Sequence, residues 1–151
     1  MSYERCKDCL KYFNSGSTGG YNCAETVIYG TTKYLGINNK LIPRIATPFG
    51  GGLGRNGFIC GALVAGTMVL GIIFGRDSIN EERDPAYKAV NKLIQKFKRK
   101  YKSLDCSDIT KLDLKKTAPT DDAKVKIHES ICKPLVEKVC EWVLEVVEFK
   151  K

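Results

Sequence analysis

The sequence predicts an all-α protein, a bundle of about five to six helices around a buried, glycine-rich central helix. Three observations lead there. Apolar residues recur at helical spacing near both ends of the chain, no segment alternates as a strand does, and one long uncharged stretch sits in the middle. That stretch runs from Phe49 to Gly75, a glycine-rich loop leading into a helix on which Gly61, Ala62, Ala65, Gly66, Gly71 and Gly75 leave little side-chain bulk. Small residues let neighbouring backbones approach, so burial on all sides is expected. The chain of 151 residues is read as one domain, 1–151, long enough to enclose a core.

The elements follow in order. Ser2 to Asn14 predicts a first helix, with Tyr3, Cys6, Leu10 and Phe13 on one stripe. Cys6 and Cys9 form a CxxC, which specifies neither zinc nor thioredoxin-like chemistry without a second such pair or a βαβ pattern. A Ser/Gly run ends that helix. The next opens at Tyr21-Asn22-Cys23, with Asn22 as N-cap and Glu25 in the acidic first turn, and runs to about Leu35 before Gly36. Asn38 to Ile45 predicts a short helix interrupted by Pro43. Gly52 to Gly57 spells GxGxxG, but no strand precedes it, so a dinucleotide fold is rejected.

Cys60 falls near the start of the central helix, where free N–H groups and the helix dipole favour a thiolate. The uncharged run between Arg55 and Arg76 is long enough to cross a bilayer, but its glycines and its lack of an aromatic belt favour a core helix. Asp84-Pro85 starts the following helix, with Tyr87, Val90, Ile94, Phe97 and Tyr101 expected inward. Ser103 to Asp108 predicts a loop or short turn carrying Cys106, and Lys111 to Thr120 an exposed connection. Thr120-Asp121-Asp122 caps a last helix to about Phe149, kinked or split by Pro134, with Cys132 at the irregularity and His128 four residues before it.

The net charge is +8, and residues 83–102 carry eight Lys or Arg against one Asp, leaving only +1 for the rest. This is one basic helix face, suited to an acidic partner. Nucleic acid is disfavoured because Phe97 and Tyr101 are expected in the core, leaving no stacking platform. Seven cysteines, an odd number, and a charged N-terminal segment with no apolar run point to a cytoplasmic chain with metal or redox chemistry rather than a secreted disulfide scaffold.

Cys23 and Cys60 at helix starts, Cys106 in a capped turn and Cys132 beside Pro134 are the thiols that would matter if they converge. Here the chain resembles the C_GCAxxG_C_C family of redox-active proteins from about Tyr3 to Val147. The matching segments are Gly20 to Glu25, Phe49 to Arg55, Cys60-Gly61-Ala62, Cys106 and Cys132. The family's central motif ends in Gly where this chain has Ala65, with Gly66 next. The resemblance implies a helical redox protein whose Cys23, Cys60, Cys106 and Cys132 ligate an iron–sulfur cluster, [2Fe–2S] in the first instance. His128 is an outside candidate as a further ligand. The same residues would serve a metal-free thiol–disulfide protein or a zinc site, and a helical binding module using residues 83–102 is the third class. The resemblance gives no role to Cys6, Cys9 or Cys140, and no redox partner.

Overall fold

A computed structural model describes residues 7–14, 19–118 and 120–148. Among them are seven α-helices: α1 (Cys23–Tyr34), α2 (Gly50–Leu53), α3 (Gly61–Phe74), α4 (Asp84–Tyr101), α5 (Cys106–Thr110), α6 (Asp122–Ile127) and α7 (Lys133–Glu148). The described residues contain no named strand, only isolated bridges, so the all-α expectation holds. No described helix is long and apolar enough to cross a membrane.

Asn22 caps α1 as its sequence suggests. Its side chain accepts from the Glu25 N–H at 2.8 Å, and the Glu25 carboxylate accepts from the Asn22 N–H at 3.0 Å. Thr26, Thr31 and Thr32 are buried on this helix because each hydroxyl donates to a carbonyl four residues back, leaving no orphan polar group. Gly36 follows in the left-handed region, φ 71°.

Helix α3 packs on α1, α4 and α7. Gly66 lets Val139, Val143 and Leu93 close over its backbone, and Ala62, Leu63, Ala65, Val69 and Leu70 are fully buried. Two expectations are corrected. Burial is not all round: Gly71 faces open space and Ile72 is 46% exposed. Nor does the glycine loop run straight into it. Residues 54–60 intervene as a separate turn, and Cys60 is the N-cap rather than a helical residue.

Other boundaries shift for local reasons. The predicted helix over Asn38–Ile45 is a turn, and a 3-10 helix, Arg44–Phe49, begins only after Pro43, whose ring disfavours helical backbone before it. On α4 the buried residues are Ala89, Leu93 and Phe97, while Tyr87 is 57% exposed. Phe97 is buried and Val90 and Tyr101 pack against the core as expected, so the correction is confined to Tyr87, with Ala89 and Leu93 buried in addition. The last helix is broken into α6, a π-helical turn at His128–Cys132, and α7, with Pro134 early in α7 where its missing N–H matters least. Cys106 opens a short helix rather than lying in a loop. In the 111–120 connection Leu114 is buried. Residues 7–10 are helical, but most of the predicted first helix, with Cys6, lies outside the described residues.

Candidate redox site

The site is assembled on the glycine turn. Gly51, Gly52 and Gly54 have φ of 67°, 69° and 62°, and Leu53 and Arg55 follow them into the left-handed region at 69° and 67°. A side chain at Gly52 would come within 2.7 Å of the Phe58 N and O atoms and of Cys106 Cβ, so only glycine fits. The turn then continues as a rung of backbone pairing. The Cys106 N–H donates to the Phe58 carbonyl at 2.6 Å, the Cys60 N–H to the Leu104 carbonyl at 2.8 Å, and Ile59 bridges Asp105 antiparallel. Two cysteines far apart in sequence are thus held side by side by main-chain bonds.

Cys23, on the first turn of α1, faces them. A side chain at Gly61 would lie 3.0 Å from the Cys23 sulfur, so this glycine keeps the thiol and the start of α3 in contact. Cys132 enters from the π-helical turn. Cys23, Cys106 and Cys132 line one cavity of about 340 Å³, together with Gly50, Gly51, Arg55, Lys124 and His128. Cys60 does not line it. Cys60 is buried behind, close enough to Cys23 and Cys106 for their charges to act on it.

All four thiols are pushed upward. Burial is the main cause in each case, and charge on another member of the set adds to it at Cys60, Cys106 and Cys132. Cys106 reaches about 11 and Cys132 about 12. The N–H groups of Gly51, Ala24 and Ala62 act on the Cys23 sulfur in the opposite direction without prevailing. The expected thiolate at Cys60 is therefore corrected. Loss of water and the neighbouring thiols outweigh the few donors at the helix start.

Two buried polar atoms beside these thiols have no hydrogen-bond partner. The Tyr101 hydroxyl lies near Cys60 and Cys132, which with burial raise it to about 12. His128 Nδ1 belongs to a ring held neutral by burial and then by Lys124, its pKa lowered to about 4. Among the described residues no three His, Cys, Asp or Glu side chains are grouped tightly enough to hold one metal ion.

The family described as "Putative redox-active protein (C_GCAxxG_C_C)" matches residues 21–146, a span containing all four of these cysteines. The chain belongs to that family. No curated protein and no solved structure matches it. The matched span includes the glycine turn together with the thiols around it.

The remaining sulfurs sit elsewhere. Cys9 and Cys140 are both buried and share a side-chain hydrogen bond, which lowers Cys9, and neither lines the cavity. No residue of α4 lines it either. Lys124 is a charged cavity residue that sequence reading missed, and Arg55 was read only as the end of the matching glycine segment. The available signal was spacing, since Lys124 precedes His128 by four residues and Cys132 by eight on a helical face.

Proposed function

We propose that this chain is an electron-transfer protein in which Cys23, Cys60, Cys106 and Cys132 hold an iron–sulfur cluster. The observation that carries the reading is the gathering of the thiols: main-chain bonds hold the Cys60 and Cys106 segments together, and Cys106 shares one cavity with Cys23 and Cys132. Charge on one member raises others, and burial raises all four, so none is favoured as an anion on its own. A bound cation would favour the thiolate forms that ligation needs. The donor set is soft, as iron–sulfur ligation requires. When bound, the cluster would supply a one-electron couple.

The protein's part is to position and tune. The N–H groups of Gly51 and Ala62 at the Cys23 sulfur, and the unpaired Tyr101 hydroxyl, are donors of the kind that raise a cluster's potential. The lysines of α4, with Lys88, Lys92, Lys98 and Lys100 exposed, are where we place docking of an acidic redox partner. Unpaired thiols suit a reducing cytoplasm.

A thiol–disulfide protein would need a depressed cysteine pKa to generate its nucleophile, and these four move the other way. Anaerobic purification with iron, zinc and sulfide analysis tests the reading and gives the nuclearity. Iron with matching sulfide and visible absorption is expected. Zinc without sulfide, or a colourless chain that does not take up iron, would overturn it.

A further inference from the structure

Lys124 is 3% exposed and lines the cavity, yet has no ion pair or side-chain hydrogen bond among the described residues. The charge of Arg55, of the same sign, acts on it, and Arg55 also lines the cavity and likewise has no such partner among the described residues. His128 stands on the same wall with Nδ1 buried and unpaired. The one carboxylate on the lining, Glu25, is engaged at another part of the rim, accepting from the Asn22 N–H at 3.0 Å and from the Thr47 hydroxyl at 2.9 Å. Lys124, the exposed Arg55 and the His128 ring therefore line one space, and neither cation has an ion-pair partner among the described residues. The Lys124 stem is buried while its ammonium reaches the cavity, where an anion would offset the like charge of Arg55.

We propose that Lys124, Arg55 and His128 form a binding site for a small oxyanion beside the thiols. The ammonium and guanidinium match the oxygens of a carboxylate, phosphate or sulfur oxyanion, with the guanidinium fork taking two of them. The neutral imidazole contributes a further donor when its proton is on the nitrogen that faces the ligand. Arg55 follows directly on the glycine turn, with a left-handed backbone of φ 67°. The turn that gathers the thiols also presents the anion receptor, so substrate and redox centre would share one wall. The inference does not need the cluster, because it rests on side chains the cavity already holds.

The test uses metal-free, reduced protein titrated with sodium sulfate and sodium phosphate against sodium chloride at matched ionic strength. Thermal stability and amide chemical shifts are followed. A saturable rise in Tm with sulfate or phosphate is expected, with shifts centred on Arg55, Lys124 and His128. Lys124→Met should lose about tenfold or more in affinity, as expected for one charge-assisted bond, and its Tm without anion should be no lower than that of the parent. Lys124→Arg should keep binding. Equal responses to sulfate and chloride, shifts centred elsewhere, or unchanged affinity in Lys124→Met would overturn the proposal. The shift map on the parent protein decides the matter if that variant does not fold. Iron and sulfide are measured separately on reconstituted samples of each variant. If Lys124→Met alters only the cluster's spectrum while anion binding is absent from the parent, the cation serves the cluster's charge and the oxyanion site is refuted.

Discussion

The Cys60 amide donates to the Leu104 carbonyl at 2.8 Å, two residues from the point where the Cys106 amide is taken up by Phe58. The spacing of two thiols is thereby set by main-chain bonds and by the glycine turn beneath them. This makes the turn, rather than any side chain, the part most sensitive to change. Gly52→Ala would drive a methyl group into the Phe58 backbone at a φ of 69°. A loss of about 2 kcal/mol or more is expected in urea unfolding, together with loss of cluster uptake.

The raised thiols give a pH signature in metal-free protein. Cys106 and Cys132 are lifted from 9.0 to about 11 and 12. A raised acid retains its proton in the folded state, so its stabilising contribution is full below the unfolded value and is lost as pH rises through the folded one. Stability should fall between about pH 9 and 12, and the Cys106→Ala, Cys132→Ala double variant should flatten that limb. Unfolding midpoints measured across this range provide the check.

His128 predicts the opposite limb. Its folded pKa is depressed from 6.5 to about 4, first by burial and then by Lys124. The contribution is present above 6.5 and is lost as pH falls towards 4. His128→Gln should remove that slope in acid unfolding. The Phe13 ring, 6.3 Å from the imidazole, should report the acid transition if its resonances are followed.

Tyr101 separates tuning from packing. Its hydroxyl is buried without a partner, so Tyr101→Phe should change folding stability by less than about 1 kcal/mol. If that hydroxyl donates to cluster sulfur, the variant's potential should become more negative. Voltammetry of reconstituted parent and variant measures the difference. An unchanged potential would remove Tyr101 from the redox account.

Helix positions with strong local signals were legible in the sequence. Asn22 and Glu25 announce the start of α1, and Asp84-Pro85 that of α4, because caps and Pro are read from neighbouring residues alone. The exposure of Tyr87 and the burial of Ala89 and Leu93 were not legible, because the edges of a helical stripe are set by the helices packed against it. A kink or split near Pro134 was legible, but its form as a π-helical turn at His128–Cys132 was not. Within the site, the four cysteines could be named, but the bridge from Ile59 to Asp105 is a single pairing with no strand pattern to reveal it. Lys124 read as one lysine among many, because burial of its stem depends on the cavity wall. The Cys9–Cys140 pair was also invisible, as it joins opposite ends of the chain.

That pair supplies a control. Cys9 and Cys140 are buried away from the cavity lining, and the Cys9→Ala, Cys140→Ala variant should keep full iron and sulfide content. Its stability should drop by about 1–2 kcal/mol in urea for the two lost sulfurs.

The most direct test of the central claim is iron and sulfide content with the visible spectrum after anaerobic reconstitution. The parent would be compared with single Cys→Ala variants at positions 23, 60, 106 and 132. The account predicts a coloured parent with iron and sulfide in matching amounts, and loss of colour or cluster content in each of the four variants. A colourless parent, or four variants that remain as richly loaded as the parent, would contradict it.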